Sequence, residues 1–441
     1  MKIFQVLNHF LPQQIAGTEV YTWALCKQLQ QNNVNVEIII PNYQQKVNAT
    51  YLYDGLKVFQ YAEPSVVDRS LIMGKRKPDG LKSFEDYLQT MQPDIVHFHE
   101  LAGSNGISLA HIRAAKRSGA KILMTFHLAG NSCRTGTLVY KDKSLCDGHI
   151  DLWKCSNCYL HSKGNNAVTK TLLPISEALY KMGIDSTSWQ NRMGTALGTV
   201  SLIAQFKDRF NQLIDLCDGF VVLTAWYEKV LLLNGMPESK IHCIPQALPF
   251  SRNSNIAKEF HKHTGYIRLL FIGRISPFKG LHILIDALDS LPQNKIELDI
   301  YGQSFNDDYE AACRKKTNGR VNIQWKGVLP QEQVVNTMQQ YDALCLCSTF
   351  SEMSPLVIQE AFAAGIPIIA SNVYGNAEQI AHEVNGLLFQ FKSVESLRTQ
   401  LERLVNEPAL LVKLSSNIKT PKGFKEIGDA YTELYESLLV N

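Results

Sequence analysis

The sequence predicts an α/β protein built from two doubly wound domains that face each other across a cleft. Its 441 residues exceed the size at which a single hydrophobic core stops growing. Apolar, strand-like runs alternate with helical stretches, as in parallel sheets covered by helices. The alternation stops in one polar stretch and then restarts. We therefore expect a first domain over 1–250, a linker over 251–266, a second domain over 267–422, and a final helix over 423–441 that packs on either domain.

The first domain begins with a strand–helix–strand unit. The segment "KIFQVLN" (2–8) is typical of a strand, "TEVYTWALCKQLQQNN" has helical periodicity, and "VNVEIIIP" is typical of a second strand. Further strands are expected at 94–99, 120–127 and 219–224. Ligands of doubly wound sheets bind outside the carboxyl ends of the strands, so the residues that follow these strands are the candidates for function.

Composition and charge exclude several classes of protein. A formal net charge of +3 is too small to indicate a nucleic-acid partner. The N-terminus "MKIFQVLNHF" lacks the apolar core of a signal peptide, and no apolar run is long enough to cross a bilayer. We therefore expect a cytoplasmic protein, in which the ten cysteines are thiols or metal ligands rather than disulfides.

In the second domain, the stretch "STFSEMSPLVIQEAFAAGIPIIAS" predicts a strand end followed by a short capped helix. Ser354 fits the N-cap, Pro355 the first helical position, and Gly365 the stop. The N–H groups and the dipole at such a helix N-terminus suit a phosphate. Glu352 would then meet whatever is attached to the phosphate, and Glu360 could accept both hydroxyls of a ribose. The alternative is that both glutamates are solvated surface residues.

Two cations follow the first strand of the second domain. The segment "LLFIGRISPFKG" places Arg274 and Lys279 on a loop at the same edge of the sheet. A unit charge about 4 Å from a phosphate oxygen contributes roughly 4 kcal/mol at an effective dielectric of about 20. Two such cations could neutralise a diphosphate without a metal, and the sequence contains no Asp-x-Asp triplet that would clamp one. We therefore expect no catalytic metal. The alternative is two solvated loop cations.

Because of these residues, the second domain resembles the donor-binding half of GT-B glycosyltransferases, specifically the large retaining family 4. The resemblance covers nearly the whole chain and is strongest between 267 and 390. It rests on Gly273-Arg274, Lys279-Gly280, the paired Glu352 and Glu360, "EAFAAGIPIIAS" behind them, and "EVNGLLF" at 383–389.

The resemblance implies a nucleotide-sugar donor, a UDP- or GDP-sugar, and a glycan or lipid-linked acceptor, with surface polysaccharide biosynthesis as the setting. It implies that Arg274 and Lys279 bind the diphosphate, that Glu352 lies near the sugar hydroxyls, and that Glu360 binds the ribose. The backbone that would hold sugar and phosphate oxygens belongs to Met353, Ser354, Pro355 and Leu356. Retention of anomeric configuration is likewise implied by the family, and no residue offers itself as an enzymic nucleophile.

The first domain is similar to the acceptor half of the same family. The segment "AGTEVYTWALCKQL" matches its glycine-rich turn and first helix, with Gly17 as the one glycine for close backbone approach. His127 ends the strand "KILMTFH" and matches the histidine close to the transferred sugar. We assign positioning and electrostatics at the reaction centre to His127 and Glu352. A strand-end histidine with a purely structural role is the alternative.

His97 and His99 share one face of the strand "DIVHFH" by alternation, so a metal pair is conceivable. The sequence gives no clear third ligand for them, and packing or acceptor contact is the preferred interpretation.

A polar segment at about 130–165 carries four cysteines separated by twelve, eight and two residues, namely Cys133, Cys146, Cys155 and Cys158. The segment is poor in apolar periodicity, so we expect it to bury little of itself and to need a staple. Four thiolates in a reducing compartment suit a structural tetrahedral Zn²⁺. Two disulfides or four unrelated thiols are the alternatives, and His149 or His161 could replace one cysteine.

Other activities use the same architecture. A sugar phosphorylase or a sugar-phosphate synthase could share the second domain, and a non-catalytic scaffold could bind the nucleotide-sugar without transfer. Lys75, Arg76 and Lys77 form a basic triplet that could give weak contact with the inner face of the membrane, although such triplets are usually just solvated.

Overall fold

The computed structural model describes residues 1–249 and 266–440, except 73, 103–104, 165–168, 190 and 305. The predicted linker over 251–266 therefore lies outside the described residues, apart from its last position. The chain divides into two compact units, one of Met1–Pro245 with Phe424–Asn441 and the other of Gln246–Gly423. The C-terminal segment thus returns to the first unit. The cleft between the domains stays a prediction.

The first unit is built on an eight-stranded sheet in the order β10-β9-β6-β5-β1-β2-β4-β3. Strand β3 runs antiparallel to β4, and the other pairs are parallel. A separate two-stranded hairpin consists of β7 and β8. The strands are β1 Lys2–Val6, β2 Asn35–Tyr43, β3 Ala49–Tyr53, β4 Leu56–Glu63, β5 Ile95–His99, β6 Lys121–Phe126, β7 Val139–Tyr140, β8 Ser144–Leu145, β9 Gly219–Val222 and β10 Ile241–Cys243.

Helices pack on this sheet, among them α1 on β2, α3 on β4 and α4 on β6, as parallel strands require. The last helix, α17, packs on α1, where the hydroxyl of Tyr21 donates to that of Tyr431 at 2.9 Å. The helices of the first unit are α1 Gly17–Gln31, α2 Arg69–Ile72, α3 Leu81–Met91, α4 Leu109–Arg117, α5 Leu152–Ser162, α6 Thr169–Lys181, α7 Arg192–Leu197, α8 Thr199–Leu216, α9 Ala225–Leu233 and α17 Phe424–Val440.

The second unit has a six-stranded parallel sheet in the order β13-β12-β11-β14-β15-β16. Its strands are β11 Ile267–Ile272, β12 Ile296–Tyr301, β13 Ile323–Gly327, β14 Ala343–Leu346, β15 Ile368–Ser371 and β16 Gly386–Phe389. Its helices are α10 Leu281–Asp289, α11 Asp307–Thr317, α12 Val334–Met338, α13 Leu356–Ala363, α14 Tyr374–Gln379, α15 Val394–Asn406 and α16 Pro408–Ser416.

Strand alternation gives the second unit two cores, one on each face of its sheet. Leu269 and Phe271 point into a core with α10, α15 and α16. Leu270, between them, points into the other core with α12 and α13. The sheet of this unit therefore has an apolar layer on each face, as a parallel sheet covered by helices requires.

The structure confirms the predicted fold class, two doubly wound α/β domains. The predicted strands are present with ends shifted by at most two residues, as at 94–99, where β5 is Ile95–His99. Strands β3, β4, β7, β8, β10 and β16 were not predicted. None of the described helices combines the length and apolar character that a bilayer crossing requires.

Candidate active site

Two loops of the second unit meet where its strand order reverses. β11 and β14 are neighbours in the sheet, and the loops 273–280 and 347–355 follow them. Thr349 joins the loops, since its N–H donates to the carbonyl oxygen of Phe278 at 2.8 Å and its hydroxyl to that of Pro277 at 2.9 Å. Ligands of doubly wound sheets bind at this reversal, outside the carboxyl ends of the strands.

A glycine is required where the first loop passes the second. Gly280 has φ +67° and links the 3₁₀ turn Pro277–Lys279 to α10. A Cβ at Gly280 would lie 2.0 Å from the carbonyl oxygen of Cys347. Any side chain there would push the two loops apart, so the position of Lys279 depends on this glycine.

The two loops contribute opposite charges that form an ion pair. The ammonium of Lys279 donates to Oε1 of Glu352 at 2.5 Å, and the hydroxyl of Ser348 donates to the same oxygen at 2.6 Å. Lys279 also lies 5.4 Å from the ring centroid of Phe350. Arg274 is exposed on the first loop. The structure thus brings Lys279 and Glu352 together, a contact that the sequence did not predict, and Ser348 was missed as the residue that orients the carboxylate.

The predicted start of α13 is wrong by one residue. The helix begins at Leu356, and Pro355 occupies the N-cap with φ −66° and ψ 119°, which is extended. The proline ring fixes φ but not ψ, so Pro355 can lie outside the helix and Ser354 precedes the cap. In the described part of the chain no side chain caps this end. Gly365 follows the C-cap with φ +73°, as the predicted stop requires.

Glu360 lies on α13, where its side chain is 6% exposed. The side-chain amide of Gln331 donates to its Oε1. Burial raises the pKa of Glu360 to about 7, and the hydrogen bond from Gln331 acts in the opposite direction. A buried carboxyl with one amide partner keeps further acceptor capacity for a ligand. Gln331 was missed, because it begins a 3₁₀ turn in a different part of the sequence.

In the first unit, His127 follows β6 and is 8% exposed. Its Nε2 lies 3.0 Å from Nδ1 of His99, and the edge of the Tyr21 ring packs against it at 5.0 Å between centroids. Burial lowers the pKa of His127 to about 3, so the imidazole is neutral. His127 therefore offers one donor and one acceptor rather than a cation.

Glu100 was missed by the sequence analysis. It follows β5 with φ +71°, and its carboxylate accepts the backbone N–H groups of His127 at 2.5 Å and Leu128 at 2.6 Å, together with the amide of Asn131 at 3.0 Å. Burial raises the pKa of Glu100 to about 8, and these hydrogen bonds oppose the rise. The carboxylate fixes the chain on both sides of the His127 peptide. An acidic residue directly after a buried strand was the signal available.

Gly17 is the first residue of α1, and the extended Ala16 forms its N-cap without a side-chain hydrogen bond. A Cβ built on Gly17 has no heavy atom within 4 Å in the described structure. Packing within the described chain therefore does not require glycine here, and its role at a bound ligand stays a prediction.

His97 and His99 share one face of β5, with ring centroids 4.3 Å apart. Both are engaged in side-chain hydrogen bonds, His97 with Tyr435 and Thr125 and His99 with Gln5 and His127. Among the described residues, no group of three or more His, Cys, Asp or Glu side chains is placed to hold a metal ion. The preferred interpretation, packing, agrees with these contacts.

The cysteine-rich segment buries more of itself than the sequence predicts. Leu138, Val139, Ile150 and Leu160 are buried, and Leu160 packs with residues of α6 and α8. The expectation was wrong because these apolar side chains are few and show no periodicity along the chain.

The four cysteines of this segment are free thiols, and the described structure does not gather three or more of them as a metal site. Cys155 and Cys158 are one turn apart on α5. Burial raises the pKa of three of these thiols, Cys146, Cys155 and Cys158, and that of Cys155 reaches about 11. The electrostatic effect of nearby Cys133 raises each of the three pKa values further. The N–H of Lys141 donates to Sγ of Cys158 at 3.4 Å.

Family models match both halves of the chain. Residues 253–420 match the model described as Glycosyl transferases group 1, and residues 15–148 match Glycosyltransferase Family 4. Together the two matches cover more than half of the chain. They include the two loops of the second unit and His127 of the first.

Curated relatives match parts of the chain at low identity. YtcC of Bacillus subtilis (strain 168), a protein named as a glycosyltransferase, is 28% identical over 180 residues, which are 38% of this chain and 44% of YtcC. The amylovoran biosynthesis glycosyltransferase AmsK of Erwinia amylovora is 27% identical over 226 residues, 48% of this chain and 54% of AmsK. The chain thus spans about half the length of the curated relatives it matches.

Solved structures share the fold over the whole chain. Sucrose-phosphate synthase from Thermosynechococcus elongatus superimposes with a TM-score of 0.65 at 15% identity, covering 100% of this chain and 99% of that one. Anabaena HepE, in complex with UDP and glucose, gives 0.61 at 13% identity, covering 99% of each. With both family matches and this architecture, the chain belongs to the group 1, family 4 glycosyltransferases of the GT-B fold.

Proposed function

We propose that the chain transfers a sugar from a UDP- or GDP-sugar to a glycan or lipid-linked acceptor, with retention of anomeric configuration, in surface polysaccharide biosynthesis. The observation that carries the proposal is the Lys279–Glu352 ion pair just before the start of α13, with Glu360 buried farther along that helix. The name of AmsK supports the polysaccharide setting, and the UDP complex of HepE supports the donor class.

The donor would lie with its diphosphate at Lys279, Arg274 and the backbone N–H groups of α13. Negative charge develops on the diphosphate as the anomeric bond breaks, and preorganised cations and amides stabilise that charge. Glu360 would accept the ribose hydroxyls. Because Glu352 already binds Lys279, a sugar hydroxyl that donates to Glu352 would be held next to the diphosphate cation.

His127 would lie close to the transferred sugar and orient it through a hydrogen bond. The carboxylate of Glu100 holds the peptide of His127, so the ring is fixed before a ligand binds. The acceptor hydroxyl would attack from the same face of the sugar that the diphosphate leaves. No residue of this chain is assigned as a nucleophile.

A second candidate function is a sugar-phosphate synthase, favoured by the similarity to sucrose-phosphate synthase. Incubation of the chain with UDP- and GDP-sugars decides between them. A product formed with lipid-linked or glycan acceptors supports the proposal. A product formed only with phosphosugars or phosphate supports the second candidate, and nucleotide binding without any product would mark a scaffold.

Replacing Lys279 by glutamine should impair both stability and turnover. The change leaves Glu352 buried beside Ser348 without its cation, and it removes a positive charge from the diphosphate site. We expect kcat/KM to fall about 100-fold, equivalent to about 2.7 kcal/mol, together with a lower melting temperature. Steady-state kinetics and thermal unfolding measure the two effects.

The double variant Lys279→Gln/Glu352→Gln separates these effects. Because it removes the uncompensated buried charge, it should regain melting temperature but not turnover. Lys316→Gln, which breaks the more exposed pair with Asp286, is the matched control and should keep turnover within about twofold. Full turnover in the double variant would contradict the proposed role of the pair.

Donor binding should depend on the ionisation of Glu360. With a pKa of about 7, its carboxyl is protonated in acid and offers a hydrogen where ribose hydroxyls need acceptors. We expect affinity for the nucleotide-sugar to rise about tenfold from pH 6 to pH 8. Glu360→Gln should abolish this rise, while Glu402→Gln on α15 should retain it. The ligand is a nucleotide-sugar and not a free nucleotide, because the terminal phosphate of a free nucleotide titrates in the same pH range as Glu360.

The ligand-free chain should show the opposite trend. Since burial raises the pKa of Glu360 from its usual 4.5 to about 7, its contribution to the free energy of unfolding is full below about 4.5 and is lost as pH rises through about 7. Denaturant unfolding of the wild type and of Glu360→Gln measures this difference. Equal pH dependence in both proteins would show that Glu360 is not the titrating group.

The cysteine-rich segment is proposed to hold one structural Zn²⁺ through Cys133, Cys146, Cys155 and Cys158. The Cys-x-x-Cys pair on α5 and the N–H donated by Lys141 to Cys158 support this ligand set, because thiolate ligands are commonly stabilised by such donors. The described side chains are not gathered as a metal site, so the four sulfurs would have to move together to bind the ion. Four sulfur ligands leave no open position, so the ion would contribute stability and no chemistry.

Metal analysis tests the zinc proposal. The purified chain should contain about one zinc per molecule, and Cys155→Ser should lose the zinc and lower the melting temperature. Cys243→Ser, an exposed cysteine outside the segment, is the control and should retain the metal. A chain purified without chelators that contains no zinc would contradict the proposal.

Weak contact with an anionic membrane surface is proposed for the region around Lys75, Arg76 and Lys77. Lys75 and Arg76 form ion pairs with carboxylates, and Lys75 also bonds to the turn that ends in Trp189. Trp189 and Met193 are 48% and 60% exposed, so apolar side chains would supply part of the contact.

Vesicle flotation tests this contact. The chain should float with phosphatidylglycerol vesicles, less with phosphatidylcholine alone, and the anionic binding should fall with salt. Trp189→Ser together with Met193→Ser should reduce binding more than Lys77→Gln does. No binding to either vesicle would contradict the proposal.

A further inference from the structure

A buried hydrogen-bonded network lies beneath His127 in the first unit. Alternation along β5 places His97 and His99 on one face, and Gln5 of β1 lies on the neighbouring strand. The last helix, α17, supplies Tyr435 to the same cluster. All four side chains are at most 1% exposed, so their polar atoms depend on one another for hydrogen bonds.

One branch of this network runs from His127 to the last helix. Nε2 of His127 lies 3.0 Å from Nδ1 of His99, and Nε2 of His99 lies 2.7 Å from Oε1 of Gln5. The side-chain amide of Gln5 then donates to the hydroxyl of Tyr435 at 3.0 Å. Each bond has a length normal for a protein hydrogen bond.

The direction of the bonds follows from the groups involved. Oε1 of Gln5 carries no hydrogen, so Nε2 of His99 must be the protonated nitrogen. Burial lowers the pKa of His99 well below its usual range, so this ring holds a single proton and its Nδ1 can only accept. The bond to His99 must therefore be donated by Nε2–H of His127. Because His127 is also neutral, its Nδ1 carries a lone pair.

We propose that His99 and Gln5 are positioning residues that hold His127 in the Nε2–H tautomer, so that Nδ1 accepts a hydrogen bond from a hydroxyl of the bound sugar or acceptor. This inference rests on the proposed function only for the place of His127 beside the sugar. A neutral acceptor at this position favours a ligand hydroxyl and gives no advantage to an anionic group. Tyr435 accepts a hydrogen bond from the amide of Gln5 and so keeps Oε1 of Gln5 directed at His99. We call the chain of hydrogen bonds from Gln5 through His99 to His127 the relay.

A second branch of the network provides a matched control. Nδ1 of His97 lies 2.8 Å from the hydroxyl of Tyr435, and its Nε2 lies 2.7 Å from Oγ1 of Thr125. Thr125 in turn bonds the hydroxyl of Tyr431 at 3.0 Å. Thr125→Val disturbs this branch in the same buried region and leaves the bonds of His99 to Gln5 and His127 in place.

The first experiment reads the tautomer in the ligand-free chain. Nitrogen-15 NMR of histidine-labelled protein distinguishes protonated from unprotonated ring nitrogens, and the signals of His127 are assigned by comparison with His127→Asn. At pH 7.5 the proposal requires a neutral ring with hydrogen on Nε2. Hydrogen on Nδ1, or a doubly protonated ring, would overturn it. This readout needs no substrate, so it stands even if the proposed function fails.

The second experiment reverses the relay. In Gln5→Glu, a carboxylate stabilises a doubly protonated His99, whose Nδ1–H then donates to His127 and drives the hydrogen of His127 to Nδ1. We expect the NMR tautomer to reverse and kcat to fall about tenfold to 100-fold, with KM for the donor within about twofold. A reversed tautomer with unchanged kcat would overturn the positioning role.

His99→Asn is the conservative variant that should preserve the tautomer. The side-chain oxygen of the asparagine replaces Nδ1 of His99 as the acceptor for His127. This variant should keep hydrogen on Nε2 and retain kcat within about threefold, whereas His99→Leu should lose both. Thr125→Val should lower the melting temperature without moving the tautomer. If Thr125→Val lowered kcat as much as Gln5→Glu does, a general loss of packing would explain both and the proposal would be wrong.

Discussion

Polar side chains at the carboxyl ends of buried parallel strands have lost their water and must be hydrogen-bonded within the protein. Both units of this chain meet that constraint at the carboxyl ends of neighbouring parallel strands, β11 and β14 in the second unit and β5 and β6 in the first. In the second unit, Lys279 and Ser348 satisfy Glu352. In the first, Glu100 binds the peptide of His127, whose ring binds His99. The side chains proposed to face a ligand are therefore already held by hydrogen bonds in the ligand-free protein.

The two units meet the constraint with different chemistry. The second unit retains charge, in an ion pair of which the ammonium is partly exposed and the carboxylate buried. The first unit keeps its imidazoles neutral by burial, so they exchange hydrogen bonds of defined direction. A charged pocket suits a diphosphate, whereas a neutral one suits hydroxyl groups. This difference is the reason why we propose the second unit as the donor half and the first as the acceptor half.

Much of the fold was predictable from sequence, because strands buried on both faces, such as β9 and β14, appear as continuous apolar runs. The candidate site was predictable only as single residues. The pairing of Lys279 with Glu352 spans 73 positions, and that of Gln5 with Tyr435 spans 430, so both depend on sheet order and on the return of the last helix. The predicted start of α13 was wrong for a local reason. The proline ring leaves ψ undetermined, so Pro355 could be the N-cap and not the first helical residue.

The return of α17 makes the second unit an insertion within the first. The hydroxyl groups of Tyr431 and Tyr435 reach buried partners on strands more than 300 positions earlier in the chain. A premature stop codon in the last seventeen-residue helix would therefore leave the second unit whole and truncate the first unit, although most of the first unit is synthesised earlier. To produce the first unit alone, a segment equivalent to α17 would have to be fused behind residue 245.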